Sequence, residues 1–493
     1  MSRETIASPS AARLRRPAFS IGLADRFSGS WRSVLVVYLA SRLFSTSVLF
    51  AVYEVAKLAG ATFITPGSDR SFLDFTSSWD ADRYRTIALH GYPSTLPTDA
   101  AGEVLPNEWA FLPVFPYLCH LLMVATGMDF VVAAPLLATV FGAAAAVVLH
   151  RLLVTKVGRT GALWAVLLFC FGPMAFVMSV GYAESLFLLL MFGGLLAMQR
   201  RNYPLVAAAG IVASFVRPGA LALALALGIH LIVRWHTERE RPGARTAAAS
   251  AAAASTTSSA STSTSITGHG TAGADAPSAS TPRSPGDAGT RRIAGIGSAP
   301  PALVLAARTS ARRAWAGLRE FVVGGRMPKR ELTTIVVAGL SMAAAGLAWP
   351  VVAHVVTGQS DAYLETEMAW WVDYVGRPAF VPLTPWFLLA GRWLGIGGIV
   401  LVLAIIASFT FWVTRRSTLR LGHEVVAFTA GFFAYLVAVF LPQQSLFRLL
   451  MPLSPLLGTP AISSRPWVRR SMLLGGAALQ PVAVVFVFLF TAP

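Results

Sequence analysis

Apolar runs of about 20 residues recur along the chain, beginning at Val34, Val131, Thr160, Ser185, Leu332, Ile399, Val425 and Met472. That is the length at which an α-helix crosses a hydrocarbon core about 30 Å thick. Inside lipid no water is available to the backbone, so each run must satisfy its own N–H and C=O groups, which a helix does. The repetition therefore predicts an all-α polytopic membrane protein. Composition agrees: only 13% of the 493 residues are charged, against about 25% in soluble proteins. An ordinary soluble enzyme, a disordered chain and a secreted disulfide scaffold are all excluded. The two cysteines, Cys119 and Cys170, lie in apolar stretches without ligand spacing and read as small buried hydrophobes.

Charge then orients the spans. Lys and Arg total 40 against 23 Asp and Glu, a net +17. They cluster before residue 32, at Arg151, Lys156 and Arg159, at Arg200 and Arg201, from Arg234 to Arg330, at Arg415, Arg416 and Arg420, and at Arg465, Arg469 and Arg470. The positive-inside trend places these clusters in the cytosol. The excess charge thus sets orientation, and no nucleic-acid partner is expected. The first apolar run is too long for a cleaved signal, so it reads as an anchor behind a cytosolic tail, 1–30.

Parity requires 110–126 to stay on the outer face. Pro113 and Pro116 near its start suit the first turn of an interfacial or re-entrant helix. Spans are then expected near 33–58, 130–151, 160–180, 183–199, 203–216, 218–235, 332–356, 392–413, 424–441, 447–461 and 471–491, about eleven in all. Residues 31–236 form an N-terminal block with a long polar outer loop, 60–109, and residues 331–493 form a C-terminal block. Between them, 237–330 is low in complexity and rich in Ala, Ser and Thr, a composition that predicts a disordered cytosolic insert. Its Gly268-His-Gly270-Thr-Ala-Gly273 fits a dinucleotide pattern but has no flanking strand or helix, so no nucleotide site is assigned.

The outer ends of the spans carry most of the chemistry. Trp79-Asp80-Ala-Asp82-Arg83-Tyr84 places two carboxylates among interfacial aromatics. The residues leave two readings: a solvated loop with local Asp–Arg pairing, or Asp80 as a general base at the membrane surface. Glu184, in Gly181-Tyr182-Ala-Glu184-Ser185, either faces a polar cavity or favours a helix N-terminus. Arg217-Pro218-Gly219 interrupts an apolar stretch. It reads as a phosphate site at a half-helix start, or as a kink with Arg217 reaching lipid phosphates. Arg448 is a second outer-face arginine, against the charge trend, and phosphate pairing would explain it. The segment Asp361–Arg377 adds Glu365, Glu367, Trp370 and Trp371, either a sugar-holding group or an interfacial belt. The histidines show no metal-ligand spacing; neither a metal nor a cofactor is expected.

Taken together, these segments resemble the PIG-V-type mannosyltransferases, a family that includes the second mannosyltransferase of GPI-anchor synthesis and bacterial relatives. The resemblance rests on Trp79-Asp80-Ala-Asp-Arg-Tyr, Phe111-Leu-Pro113-Val-Phe-Pro116, Tyr182-Ala-Glu184-Ser185-Leu-Phe and Phe215-Val-Arg217-Pro218, with Glu365-Thr-Glu367-Met-Ala-Trp370 and Arg448-x-x-Met-Pro452-x-x-Pro455 as weaker late motifs, in order. Val216 stands where many relatives have Thr. The resemblance implies a GT-C-type helix bundle with an outer-face catalytic loop and a polyprenyl-phosphate sugar as donor. It also implies inverting transfer of mannose to a lipid-linked or cell-envelope glycan acceptor, on the extracytoplasmic face of the cell membrane. Carried over by residue, Asp80 is the base, Arg217 and Arg448 bind the donor phosphate, and Trp79, Asp82, Tyr182, Glu184 and Trp370 shape the pocket. A transporter or flippase of lipid-linked sugars is the alternative, but no internal repeat supports it.

Overall fold

A computed structural model of the chain describes residues 31–60, 71–237 and 327–489. The expected N-terminal tail and nearly all of the expected insert lie outside the described residues. The described residues up to Ile232 and from Leu332 onward belong to one compact unit, and those of 233–331 to a second. In the second unit Arg234 and Glu331 form an ion pair at 2.8 Å. Everything below concerns the first.

Its framework is helical, as the apolar runs require. Helix α1 (Trp31–Leu58) is followed by α2 (Asp80–His90), α3 (Val114–Thr126) and the long α4 (Phe130–Cys170). Then come α5 (Glu184–Gln199), α6 (Tyr203–Ser214), α7 (Leu221–Thr237), α8 (Lys329–Thr357) and α9 (Ala362–Ala369). Helices α10 (Pro385–Leu394), α11 (Ile396–Val413), α12 (His423–Val439) and α13 (Pro466–Phe488) complete the chain. Five of these, α1, α4, α8, α11 and α13, are long and apolar enough to cross a membrane. Five more, α3, α5, α6, α7 and α12, are apolar but shorter. No strand is present among the described residues; the nearest approach is a single bridge between Thr98 and Val104.

The element boundaries depart from the expected spans where Gly and Pro intervene. The expected spans 130–151 and 160–180 are joined in α4, which bends at Gly158, the one non-helical residue inside it (φ 72°). The chain beyond Cys170 turns into a short 3-10 segment, Ala175–Ser179. The expected span 392–413 is broken at Gly395 into α10 and α11. The expected span 447–461 is no continuous α-helix. It is one turn, Leu446–Leu449, a 3-10 run, Met451–Gly458, and another turn, Pro460–Ser463. Pro452 and Pro455 remove the donors that an α-helix needs there. Helix α3 has 13 residues, about 20 Å at 1.5 Å per residue, too short to span.

Packing between membrane helices uses small and polar residues, since lipid is as apolar as leucine. Helix α1 shows this: Leu43 and Val55 face outward, while Ser41, Arg42 and Ser45 are buried. Arg42 donates to the carbonyls of Cys170 (3.1 Å) and Ala175 (2.6 Å) and to Ser179 Oγ (3.0 Å). It thereby satisfies groups that the end of α4 leaves without helical partners. The C-terminal 3-10 run packs on α4 and α12, so the two membrane blocks interleave.

The described part of the expected outer loop, 71–109, is a folded cap. Its core joins Leu96, Val104, Trp109 and Leu112 to Trp349 and Ala353 of α8 and Ala362 of α9. Tyr92, Trp109 and Trp349 pack in tilted and edge-on contacts with ring centroids 4.7–5.2 Å apart. The polar edges of the rings are satisfied: Trp109 Nε1 donates to Pro93 O and Trp349 Nε1 to Trp109 O, each at 3.0 Å. Asn107 Nδ2 donates to Thr366 Oγ1 at 3.0 Å in a buried contact. The last of these bonds ties α9 to the segment before Trp109.

Candidate active site

Asp80 opens α2, and the residue before it is strained. Trp79 has φ 61° and ψ −118°, a region that a bulky side chain occupies only when its surroundings enforce it. This turn buries Asp80 against residues from three distant stretches. Arg448 Nη1 lies 2.5 Å from Asp80 Oδ2, and Nη2 lies 2.9 Å from Oδ1, a two-pronged pair. Arg217 Nη1 is 2.8 Å from Glu184 Oε1 and 3.8 Å from Asp80 Oδ2. Arg448 Nη1 also lies 3.3 Å from Glu184 Oε1.

Two carboxylates and two guanidiniums thus share one buried site and balance in charge. Burial of any one alone would cost several kcal/mol per ion, about 3–5 when one partner of a pair is removed. Tyr182 supports the group from below, with the Arg448 guanidinium 5.1 Å from its ring centroid. Burial by itself would raise the Asp80 carboxyl, but the Arg448 fork and the Arg217 charge outweigh it and hold Asp80 below the usual carboxylate range.

Three members of this quartet lie on the wall of a cavity of about 280 Å³. Asp80, Arg217 and Arg448 line it, with Tyr84 of α2, Tyr363, Glu367 and Trp370 around α9, Tyr435 of α12 and Gln443. Several polar atoms of the lining residues are buried without a hydrogen-bond partner: Arg217 Nε, Arg448 Nε, Trp370 Nε1 and Gln443 Oε1. Buried polar groups are usually paired, so these suit a polar guest. Arg83, paired with Glu108 at 2.9 Å, lies 5.6 Å from the Trp370 ring. The turn that carries Arg217 depends on Gly219. Its φ is +102°, and a Cβ there would sit 2.9 Å from both Phe432 and Tyr435.

The structure brings together most of the residues singled out from sequence. Asp80, Glu184, Arg217 and Arg448 form the quartet, Trp370 lines the cavity, and Tyr182 lies behind Arg448. Trp79 shapes the turn but does not line the cavity. Asp82 is the correction. One residue past Ala81 on α2 it is exposed and away from the cavity, because a helix turns about 100° per residue and Asp80 holds the inward face. Tyr84, Tyr363, Tyr435 and Gln443 were not legible as site residues. Tyr435 sits in an apolar stretch where a core role is the commoner one, and Tyr84, Tyr363 and Gln443 stand in polar segments that do not set them apart.

A further cluster escaped the search for ligand spacing because its members are far apart in sequence. His230 of α7 and His423 and Glu424 of α12 place three potential ligand atoms within 4.8 Å of one another. His230 Nδ1 and His423 Nε2 are 2.8 Å apart, with ring planes 17° apart and centroids at 5.0 Å. The rings are thus in line, the geometry of an N–H···N hydrogen bond in which one ring nitrogen donates to the lone pair of the other. Lys156 approaches Glu424 at 4.0 Å. The cluster ties α7 to α12.

Comparison with known proteins bears on the N-terminal block. Residues 27–224 match the family model described as Mannosyltransferase (PIG-V). Similar curated proteins are GPI alpha-1,6-mannosyltransferase 2 from Mus musculus, 34% identical over 135 residues, and from Rattus norvegicus, 33% identical over 135 residues. The protein of the same name from Cricetulus griseus is 31% identical over 134 residues. Each alignment spans 25% of this chain and 25% of the relative. No solved structure matches the chain. The match contains Asp80, Glu184 and Arg217 and leaves out Glu367 and Arg448, which reach the same cavity from the C-terminal block. Across residues 27–224, the stretch that supplies three of the four buried charges, the chain carries the sequence pattern of the PIG-V mannosyltransferase family.

Proposed function

We propose that this protein is a membrane mannosyltransferase that takes mannose from a polyprenyl-phosphate-linked donor. The acceptor is a glycolipid or cell-envelope glycan on the extracytoplasmic face of the cell membrane, and the fold is of the GT-C type. The observation that carries this reading is the pair of buried guanidiniums, Arg217 and Arg448, on the wall of a cavity that also holds carboxylates. Cleaving a sugar–phosphate bond develops negative charge on the leaving phosphate. Preorganised donors in a low-dielectric site stabilise such charge without reorganisation, and the planar fork of arginine fits a phosphate's oxygens.

The same geometry gives Asp80 its part. In the resting site it neutralises the arginines together with Glu184. Donor phosphate shares the guanidiniums with Asp80, which stays beside them as an ionised carboxylate near the reacting carbon. Glycosyl transfer passes through a transition state with positive charge on the anomeric carbon, and a low-lying carboxylate stabilises it. The arginine fork makes Asp80 a weak proton acceptor, so its support is electrostatic.

The test is purified full-length protein with polyprenyl-phosphate mannose and a membrane lipid extract, scored for new mannosylated lipid. The expected result is a product from that donor, none from GDP-mannose alone, and none with Asp80→Asn. Donor movement across a vesicle membrane without any product would replace this reading with that of a flippase.

A further inference from the structure

The cavity holds a second carboxylate that the charge quartet does not use. Glu367 sits on α9 and lines the same wall region as Arg217. It is half-buried, and what access it has is on the cavity side. Asp80 has both oxygens in the Arg448 fork, whereas Glu367 has no ion-pair partner within 4.0 Å among the described residues. Tyr363, one helical turn earlier, directs its hydroxyl at the Glu367 carboxyl. Tyr435 of α12 lines the same cavity, and the Arg217 charge acts on Glu367 from the α6–α7 turn. Tyr84 and Asp80 of α2 complete the ionisable lining of the cavity, with Arg448. Trp370 and Trp371, just beyond α9, and Phe111 add flat apolar surface of the kind that packs on a sugar ring.

We propose that Glu367 is the general base, taking the proton from the acceptor hydroxyl that attacks the mannosyl carbon. The inference rests on the transferase reading above. In the step, the acceptor oxygen bonds to the anomeric carbon, and the bond from that carbon to the donor phosphate oxygen breaks. The proton passes from the acceptor oxygen to the Glu367 carboxylate, and the phosphate leaves with the electron pair, held by Arg217 and Arg448. Nothing is oxidised or reduced.

The environments of the two carboxylates suit this division. Burial pushes the Glu367 carboxyl up to about 7, against smaller opposing effects of the Tyr363 hydroxyl and Arg217. A base works best when its pKa lies near the working pH. Asp80 is held low and stays a charge. Two carboxylates whose environments drive their pKa values apart divide acid–base and electrostatic work between them.

Initial rates of transfer by the purified full-length protein, measured from pH 5.5 to 9, test the assignment. Wild-type activity is expected to rise with pH through a group near 7 and then level off, because only the ionised form accepts a proton. Glu367→Gln is expected to lower the rate by about 100-fold or more and to abolish that pH limb, while donor binding persists. Glu367→Asp should restore part of the rate with a displaced limb. The exposed Glu365→Gln, two residues away, should behave as wild type. Difference infrared spectra should also show a protonated-carboxyl C=O band in wild type that disappears near pH 7 and is missing in Glu367→Gln. A wild-type rate and limb in Glu367→Gln, or no such infrared band, overturns the proposal. No transfer by wild type from a polyprenyl-phosphate donor overturns the parent reading, and this one with it.

Discussion

At the scale of residues, the site is a problem of charge balance. Arg448 meets Asp80 through two parallel contacts. Lysine carries the same charge but presents it as a point, without a fork. We therefore predict that Arg448→Lys leaves a folded protein whose transfer rate falls by about 10-fold or more, from loss of bidentate phosphate recognition. Arg448→Ala should do more. It leaves Asp80 and Glu184 to share Arg217, a loss of about 3–5 kcal/mol for a broken buried pair, visible as a lower thermal unfolding midpoint. The pH dependence of stability follows from the sign of the Asp80 shift. Its folded value lies below the ordinary one, so its contribution is complete above about pH 4 and is lost as pH falls through the folded value. Acid unfolding of the wild type should carry this loss, and Asp80→Asn should remove it.

At the scale of elements, short connections place the chemistry. The Arg217 turn depends on Gly219, whose φ of +102° and tight contacts with Phe432 and Tyr435 exclude a side chain. Gly219→Ala is expected to destabilise the protein by about 1–3 kcal/mol and, because Arg217 is two residues away, to raise the donor KM. Thermal unfolding and donor titration check the two effects separately. The Tyr92–Trp109–Trp349 cluster holds the cap on α8. Trp109→Ala removes a fully buried aromatic ring, a change worth about 3–5 kcal/mol. It should raise protease sensitivity in the cap, measured by limited proteolysis, before the membrane helices unfold.

At the scale of the whole molecule, the helical membrane class was legible because an apolar run of 20 residues has few other physical solutions. The motifs carrying Glu184, Arg217 and Arg448 were legible because each puts a charge at the edge of an apolar run, where charge is costly, and that of Asp80 because it sets carboxylates among interfacial aromatics. Orientation was readable as an expectation from the arginine clusters. A membrane-impermeant thiol reagent should label Thr95→Cys and spare Ala260→Cys in intact cells, and the reverse pattern would invert the topology. Exact spans were less legible, since a 3-10 run such as Met451–Gly458 is as apolar as a helix. The inward turn of Glu367 was hidden as well: Glu365 and Glu367 are alike in sequence, and only the docking of α9 through Asn107 and Thr366 selects the second.

The sequence by itself determined that the chain is a bundle of membrane helices with a few misplaced charges, because hydropathy and the cost of charge in lipid act on each residue locally. Tertiary structure decided which charges meet. Asp80 and Arg448 are 368 positions apart, and no local rule pairs them. Their contact, the exclusion of Asp82 and the isolation of Glu367 all depend on how helices from the two ends of the chain pack around one cavity.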